Sequence, residues 1–269
     1  MTGGDAWRER GRLFDRAAGE YKEGRPGYPP EVFELLETQC GLGAGSRVLE
    51  IGPGTGQATL PLLERGAHVT AVEPGAGLAH QLRERAGGLD LEVVVSGFEA
   101  AEVSEAAFDL AVSATAFHWV DPSIGVHKCA HALRDGGWLA LWWTIWADYE
   151  NLDPFFELLQ PILEAKAPEL VREGIAPLRF ALDVSARTAE IDSTGAFGPV
   201  RHHIVHWLGE HDAAGTRSLF ATFSPWLALP GPLRNELLDD IEHLATDAFG
   251  GVVRRPYQTV IYLAQRSAR

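Results

Sequence analysis

The sequence predicts an α/β fold built on a doubly wound, seven-stranded, mostly parallel sheet with a helical cap insertion. Short apolar runs alternate with helical patterns from about residue 30 to residue 146, as a parallel sheet with crossover helices requires. A glycine-rich turn, Gly52 to Gly56, directly follows the first such run, and an acidic residue, Glu73, ends the second. Strand, glycine turn, helix, strand and acid together make a nucleotide-type βαβ unit.

The glycine turn organises this first unit. Val48 to Ile51 is predicted as a buried strand, and the glycines after it let a ligand approach the backbone because no Cβ intervenes. Gln57 to Glu64 carries leucines at helical spacing, and Gly66 is a suitable C-terminal stop. Val69 to Val72 is predicted as the second strand, so Glu73 is placed to accept hydrogen bonds from ribose hydroxyls.

The glycine spacing narrows the class of nucleotide. The dinucleotide-binding motif Gly-x-Gly-x-x-Gly, if it began at Gly52, would have its third glycine at position 57, which is Gln57. The third glycine of this turn comes one residue earlier, at Gly56. Glu50 lies just before the turn, where it would repel a pyrophosphate and suit a cationic ligand. No Lys-Ser or Lys-Thr pair follows the glycines, which excludes a phosphate-cradling NTPase loop. The pattern therefore favours a ribose-bearing, phosphate-free cation, S-adenosylmethionine.

The composition restricts the partners and the compartment. Hydrophobic residues make up 46% of the 269 residues, and the formal net charge is −14 with a pI near 5.1. Because nucleic-acid binding depends on clustered Lys and Arg, we expect no nucleic-acid partner. We find no apolar signal core and no run of 18 apolar residues, so we expect no membrane partner and a cytoplasmic protein. Residues 1–269 are interpreted as one domain, either a monomer or a homodimer.

Residues from about 10 to 30 are interpreted as an N-terminal lid. They carry Tyr21, Arg25 and Tyr28 ahead of a helix predicted from Glu31 to Thr38. Arg25 would pair with the cofactor carboxylate, and Tyr21 would close over the transferred methyl group. A helix packed on the edge of the domain, with solvated polar tips, explains the same residues, and spacing alone leaves both readings open.

The third strand also ends in candidate site residues. A helix from Pro74 to Ala86 leads to this strand, residues 91 to 95, which runs into Gly97, Phe98 and Glu99. Ligands bind outside the carboxyl ends of strands in open α/β sheets. Phe98 would therefore face an adenine ring, or else it caps the core.

An aromatic cluster follows the fourth strand. That strand, residues 107 to 113, ends at Ser113 and flows into Phe117, His118 and Trp119. An imidazole between aromatic rings at the carboxyl end of a strand favours a functional role over a structural one. We take His118 as the candidate catalytic residue.

Tryptophans mark the fifth strand, which follows a helix predicted from 124 to 133. The strand runs from Trp138 to Trp146 and also contains Trp142 and Trp143. Tryptophan offers a large, rigid contact surface with one donor. We expect at least one of the last three tryptophans to line a substrate pocket rather than fill the core.

The remainder of the chain is predicted to hold an insertion and two more strands. Residues 148–195 are interpreted as the insertion capping the site, helical from 153 to 170 with interruptions at Pro161 and Pro168, and irregular after that. The last strand is expected at the antiparallel edge of the sheet. His202, His203 and His206 lack a carboxylate or cysteine partner at useful spacing, so no metal site is predicted. The other elements predicted here are a strand at 199–208, helices at 213–227 and 232–249, and the last strand at 253–264.

These motifs resemble the class I S-adenosylmethionine-dependent methyltransferase family, with its Rossmann-like fold. The segment Val48 to Gly56 is similar to the first motif of the family, and Glu73 to its ribose-binding acid. Two further motifs resemble a narrower branch that contains trans-aconitate-type carboxyl methyltransferases and small-molecule methyltransferases of bacterial secondary metabolism. They consist of Phe14, Ala17, Tyr21, Arg25, Pro26, Tyr28 and Pro29, and of Ala116, Phe117, His118, Trp119 and Asp121.

The resemblance implies a cofactor site for S-adenosylmethionine, which becomes S-adenosylhomocysteine after transfer. Related enzymes often carry an acid just before the residue that matches Phe98, but this sequence has Gly97 there, and Glu99 is the nearest substitute. The residues assigned to the cofactor are Tyr21, Arg25, Glu50, Gly52, Gly54, Gln57, Glu73, Pro74, Gly97, Phe98, Glu99, Ser113 and Phe117.

Catalysis by such an enzyme would depend mainly on aligning the two reactants and excluding water from them. The reason is that the positive charge of the sulfonium is neutralised as the methyl group is transferred. His118 is the candidate general base or orienting acceptor, assisted by Tyr21. The residues assigned to the substrate are Tyr28, His118, Trp119, Trp143 and Trp146.

The tryptophans favour an apolar or aromatic acceptor, such as an indole or another heteroaromatic metabolite. The rival is a carboxylate acceptor, which basic residues of the insertion such as Arg172 and Arg179 would serve. A non-catalytic S-adenosylmethionine-binding protein is the alternative from another class.

Overall fold

A seven-stranded sheet with helices on both faces forms the centre of the molecule. The structure is a computed structural model, and it describes residues 26–148, 150–173 and 178–268. The strands of the described residues follow the order β3-β2-β1-β4-β5-β7-β6. The strands are β1 Arg47–Ile51, β2 His68–Glu73, β3 Leu91–Val95, β4 Phe108–Ala114, β5 Leu133–Ile145, β6 Arg201–Asp212 and β7 Val252–Gln265.

Crossover helices connect β1 to β2, β2 to β3 and β4 to β5, which confirms the predicted doubly wound α/β class. Strand pairs β1–β2, β1–β4, β2–β3 and β4–β5 are parallel, while β7 is antiparallel to both of its neighbours. The helices are α1 Pro30–Cys40, α2 Thr59–Glu64, α3 Ala76–Ala86, α4 Pro122–Ala132, α5 Pro154–Lys166, α6 Pro168–Glu173, α7 Val184–Asp192, α8 Ala213–Ala221, α9 Ser224–Leu227 and α10 Gly231–Phe249, with 3₁₀ turns at Phe117–Trp119 and Arg179–Leu182.

The expected edge position of the last strand is wrong. Strand β7 pairs with β5 on one side and β6 on the other, so β6 is the edge. Residues 255 to 264 of β7 are all buried, whereas most of β6 is exposed or half-buried. A strand that is buried on both faces needs a neighbour on each side, and its long apolar run is the sequence signal for that place.

Several helix and strand boundaries in the structure differ from the predicted ones. Strand β5 begins at Leu133, inside the predicted helix, and β6 continues to Asp212 rather than ending at 208. Pro161 lies inside α5 without interrupting it, and the helix ends at Lys166 just ahead of Pro168. Part of the stretch predicted as irregular is helix α7, whose first turn is capped by Asp183 accepting from the Ala186 amide at 3.0 Å.

Alternating residues of β5 face two separate cores. Leu139, Leu141 and Trp143 belong to the core beneath α4 and α7, whereas Ala140 and Trp142 belong to the core beneath α1, α2 and α3. This alternation follows from the two-residue period of a strand. It places neighbouring tryptophans of one strand in different environments.

Residues 148–195, which were predicted to form a single cap, pack against two different parts of the molecule. Phe155, Leu159 and Leu163 of α5 pack with α8, α10 and Tyr257 in a third core beyond the end of β5. The later part, which includes Ala181, packs on the sheet face beneath α4. Among the described residues, no helix has the length and apolar character needed to cross a membrane.

Candidate active site

A cleft opens at the carboxyl ends of β1, β2 and β4. Its empty volume is about 1080 Å³, a value that includes the open mouth. The glycine turn forms one wall, and the residues after β3 and β4 form the others. The described residues that line it are Pro26, Tyr28, Ile51, Gly52, Pro53, Gly54, Gln57, Ala58, Val72, Glu73, Pro74, Leu78, Gly97, Phe98, Glu99, Ala114, Thr115, Ala116, Trp119, Val120 and Trp146.

The glycine turn needs glycine both for its backbone conformation and for close packing. Gly52, Gly54 and Gly56 have φ angles of 67°, 59° and 95°, in the left-handed region that other residues rarely adopt. A Cβ on Gly52 would lie 2.6 Å from the Cβ of Ala116, which follows β4. The turn and the end of β4 can therefore approach each other only because position 52 has no side chain.

Glu73 ties the second strand to this turn. Its Oε2 accepts a hydrogen bond from the Gly54 amide at 3.0 Å, and its Oε1 accepts from the Gly75 amide at 2.8 Å. The side chain lines the cleft although the residue is only 4% exposed. These two bonds hold the carboxylate against the backbone of the glycine turn and of Gly75.

Glu50 is a buried carboxylate beneath the cleft. The residue is 0% exposed, and neither of its oxygens has a hydrogen-bond partner within the described part of the chain. Burial raises the pKa of Glu50 to about 7; the nearby Thr59 hydroxyl opposes this shift without reaching hydrogen-bond geometry, and the charge of Glu73 adds to it. A cation close to this carboxylate would stabilise its ionised form.

The wall after β3 is held by contacts with α4. The Glu99 carboxylate accepts from the Asp121 amide at 3.2 Å, and the Lys128 ammonium lies 5.3 Å from the centre of the Phe98 ring. Phe98 is 3% exposed, so its ring both fills the core and borders the cleft. Gly97 supplies no side chain here, which leaves Glu99 as the acidic side chain on this wall.

Thr115 is held in an unusual backbone conformation at the floor of the cleft. Its φ is 55°, which is rare for a β-branched residue. Its hydroxyl accepts from the Tyr28 phenol at 3.2 Å and from the Thr144 amide at 3.3 Å, and its own amide donates to the Trp142 carbonyl at 2.7 Å. Strain of this kind persists where surrounding contacts fix it, and it is concentrated at functional sites.

His118 lies in an aromatic cage next to the cleft rather than on its lining. Its Nδ1 accepts a hydrogen bond from the Trp143 indole at 3.1 Å. Its ring centre lies 4.6 Å from that of Trp119, which lines the cleft, and 5.5 Å from that of Phe180 in the insertion. The cage therefore joins the end of β4, the end of β5 and the insertion.

Comparison with known proteins decides the family. The sequence profile of a family described as "Methyltransferase domain" matches residues 49–141. An uncharacterized methyltransferase of Mycobacterium tuberculosis (strain ATCC 25618 / H37Rv) is 30% identical over 238 residues, which are 88% of this chain and 87% of the relative.

The chain belongs to the class I S-adenosylmethionine-dependent methyltransferases.

Solved structures share the fold of this methyltransferase at low identity. A phosphoethanolamine N-methyltransferase 2 of Haemonchus contortus, in complex with phosphomonomethylethanolamine and S-adenosylhomocysteine, has a TM-score of 0.59 at 14% identity. The match covers 97% of this chain and 59% of that one. The same enzyme in complex with S-adenosyl-L-methionine has a TM-score of 0.58 at 14% identity, with 94% and 57% covered.

The cleft fits the cofactor of the family. Glu73 presents a carboxylate at the position suited to a ribose, and the unpartnered charge of buried Glu50 suits the positive charge of the methionine part. The left-handed backbone at Gly54 brings a residue without a side chain to the lining of the cleft.

The methyltransferase brings eleven of the predicted site residues to the lining of its cleft. Their roles stay predictions. They are Tyr28, Gly52, Gly54, Gln57, Glu73, Pro74, Gly97, Phe98, Glu99, Trp119 and Trp146.

Other predicted residues lie elsewhere. Ser113 is fully buried, and its hydroxyl donates to the Ile51 carbonyl at 2.8 Å, which joins β4 to β1 beneath the cleft. Phe117 is 4% exposed and packs in the core against Gly125, where a Cβ would lie 2.9 Å from its ring. Trp143 is 2% exposed, behind His118. Tyr21 and Arg25, and most of the predicted lid, lie outside the described residues.

Sequence reasoning did not assign several lining residues to the site, among them Thr115 and Ala116 after β4. Thr115 and Ala116 line the cleft, but neither type carries a signal for backbone strain or close approach. Among the basic residues weighed for a carboxylate acceptor, Arg179 is exposed on its 3₁₀ turn, and the side chain of Arg172 lies outside the described part of the chain.

Proposed function

We propose that this methyltransferase acts on a small apolar or aromatic metabolite, such as an indole or another heteroaromatic compound of secondary metabolism. One observation carries the proposal. The described lining of the cleft contains the aromatic residues Tyr28, Phe98, Trp119 and Trp146, and it contains no Lys, Arg or His.

The aromatic residues suit a flat, apolar acceptor. Trp119 is 37% exposed and lines the cleft, so part of its ring surface is open to a bound molecule. Trp146 is 3% exposed and is fixed by contacts with Phe223 and Tyr257, whose ring centres lie 6.4 Å and 5.3 Å away. Rigid aromatic surfaces bind flat rings with little loss of side-chain freedom.

The charge of the cleft disfavours the rival carboxylate acceptor. The charged side chains on the described lining are Glu73 and Glu99, and both are acidic. A carboxylate acceptor would be repelled by them and would need a cationic partner. Support for this rival would have to come from basic residues outside the described lining.

The residues of the chain contribute mainly binding and alignment. When bound, S-adenosylmethionine supplies an electrophilic methyl group on a positively charged sulfur. Glu73 would hold the ribose, Glu50 would favour the cationic end, and Trp119 with Trp146 would hold the acceptor and exclude water. Holding two reactants in an aligned pose can lower the activation free energy of a bimolecular reaction by about 7–11 kcal/mol.

Radiolabelled S-adenosylmethionine and a panel of acceptors test the proposal. We expect label to move to quinoline or indole and not to trans-aconitate. Trp119→Ala should raise the acceptor KM about tenfold, equal to about 1.4 kcal/mol, without changing the S-adenosylmethionine Kd. Leu152→Ala, a change at a residue that is 69% exposed and outside the cleft, is the matched control. Transfer to trans-aconitate with none to the aromatic acceptors would refute the proposal.

A further inference from the structure

Strand β6 leaves one of its edges open. It has 12 residues, and within the described part of the chain it pairs with β7 on one side and with no strand on the other. The backbone groups along a free edge are a template for a further strand. Proteins protect such edges with short strands, lysine or proline, but β6 contains neither lysine nor proline. Strand β3, at the other edge of the sheet, is protected by its length of five residues.

The exposed face of β6 is partly apolar. From His202 to Asp212, exposed side chains alternate with half-buried or buried ones, and two of the exposed ones are Ile204 and Leu208, at 40% and 68%. Leu208 also lines an open hollow together with Leu152, which is 69% exposed. Exposed apolar side chains that gather on one surface are typical of a protein contact.

The two ends of β6 differ in charge. Arg201 begins the strand, whereas Glu210 and Asp212 lie at its other end, and all three are exposed. Glu210 also lies 2.7 Å from Arg254 of the same chain, but both side chains are more than half exposed, so the contact leaves the carboxylate largely in solvent. Two such strands in antiparallel orientation bring the basic end of each next to the acidic end of the other. A second copy of β6 is therefore a partner whose charges fit.

We propose that the methyltransferase forms a homodimer in which β6 pairs antiparallel with β6 of a second copy, about a two-fold axis at His206. The axis stands perpendicular to the sheet, so residues of one face meet residues of the same face. Ile204 then lies opposite Leu208 of the second copy, and His202 lies opposite its Glu210. The axis repeats each pair, and it joins the two seven-stranded sheets into one continuous sheet.

The other face of the strand is compatible with this axis. Val205 lies opposite Trp207 of the second copy, and a β-branched residue opposite an aromatic one is a favourable cross-strand pair. His203 lies opposite Gly209, which has no side chain to obstruct it. Both faces of β6 are therefore complementary to themselves in the same register.

The position of the axis follows from these pairs. An axis one residue earlier or later would set Ile204 opposite His206 or Glu210 instead of a leucine, and both pairs are unfavourable for an apolar side chain. On the axis, His206 faces its own copy, but each imidazole keeps the Asp148 carboxylate beside it at 2.8 Å.

Cysteine cross-linking of the full-length protein tests the axis. In an antiparallel pair, the Cα atoms of opposite residues lie about 4.5–5.5 Å apart, within reach of a disulfide. We expect His206→Cys to form a disulfide-linked dimer under mild oxidation. His202→Cys is the matched control on the same exposed face, because its two copies would lie about 27 Å apart at roughly 3.4 Å per residue. Both variants also carry Cys40→Ser, since Cys40 is half-buried, whereas Cys129 is buried.

Sedimentation of the reduced protein supplies the second readout. We expect a concentration-dependent dimer, and we expect Leu208→Lys to raise its Kd about 30-fold, because the axis repeats the lost contact and sets a charge opposite Ile204. Leu89→Lys, the same change at a 48% exposed position just before β3, should leave the Kd unchanged. Both leucines are exposed, so both variants should keep the circular dichroism spectrum and the Tm of the parent.

Two results would overturn the inference. One is a monomer at every concentration up to about 100 μM, where even a weak dimer would be populated. The other is a dimer that His206→Cys cross-links no faster than His202→Cys, or whose Kd is unchanged by Leu208→Lys. Neither readout involves the methyl acceptor, so the result is separate from the proposed function.

Discussion

The carboxylate of Glu73 accepts a hydrogen bond from the Gly54 amide at 3.0 Å, so the end of β2 is joined directly to the glycine turn after β1. The two residues are 19 positions apart in the chain. The bond aligns an acidic group and a left-handed glycine on one wall of the cleft. Cofactor binding by this methyltransferase should therefore depend on the charge at position 73 as well as on the shape of the turn.

We expect Glu73→Gln to weaken S-adenosylmethionine binding about tenfold or more. Glutamine keeps the size of the side chain but loses the charge, and a hydrogen bond to a charged group is worth about 1.5–3 kcal/mol. Calorimetric titration with S-adenosylmethionine measures the change. Glu92→Gln, an exposed change on neighbouring strand β3, is the matched control. Equal affinity in the two variants would remove Glu73 from the cofactor site.

Glu50 should make stability depend on pH. Burial raises its folded-state pKa from 4.5 to about 7, so between these values the folded state holds a proton that the unfolded state has lost. Stability therefore falls as the pH rises through this window and levels off above it. The full effect is about 3 kcal/mol, and Glu50→Gln should remove it, making the variant more stable than the parent at about pH 8.

Cofactor affinity should show the opposite trend in the same window. Ionised Glu50 favours a cation, so the parent should bind S-adenosylmethionine more tightly as the pH rises, and Glu50→Gln should bind weakly at every pH. Urea unfolding and calorimetry at several pH values give both curves. Glu64→Gln, at an exposed position of α2, should follow the parent in both. Parallel pH curves for the parent and Glu50→Gln would contradict the assignment.

Gly52→Ala should damage both folding and binding. The new Cβ would lie 2.6 Å from the Ala116 Cβ, at a φ of 67° that alanine rarely adopts. We expect a loss of about 2 kcal/mol or more in the free energy of unfolding, together with weaker S-adenosylmethionine binding. Gly43→Ala is the control, since a Cβ there has no described heavy atom within 4 Å. A neutral effect at position 52 would mean that the turn and the end of β4 separate readily.

The ion pair of Arg255 and Asp153 should be essential for the stability of the third core, which α5, α8 and α10 form beyond the end of β5. Arg255 is 1% exposed, and its Nη2 lies 2.6 Å from Asp153. Asp153→Asn keeps the helix-capping oxygen but leaves the positive charge of Arg255 buried without its partner. We therefore expect the free energy of unfolding, measured by thermal or urea unfolding, to fall by about 3 kcal/mol. Asp240→Asn, at the exposed pair with Lys166, should cost less than about 1 kcal/mol. Equal losses would show that the Arg255 pair is no more important than a surface pair.

Local features of the sequence predicted the first half of the fold and much of the cleft. The glycine turn, Glu73 and the segment from Gly97 to Glu99 are each defined within a few residues, and all of them line the cleft. Their positions follow because the carboxyl ends of parallel strands meet at one edge of a sheet. The predicted edge position of β7 is wrong because burial on both faces outweighs a local pattern. The predicted interruption at Pro161 is also wrong, since Pro161 lies inside α5.

By itself, the sequence of this methyltransferase determined the succession of elements in the first unit, the acids at 50 and 73, and the class of cofactor, since these depend on spacing along the chain. Only the tertiary structure decided that Trp143 faces His118 while Trp142 faces the opposite core. It also decided that Glu50 is buried without a partner in the described residues. The physical reason is that pKa values and strain depend on neighbours brought together from distant segments, and those neighbours exist only after the sheet has formed.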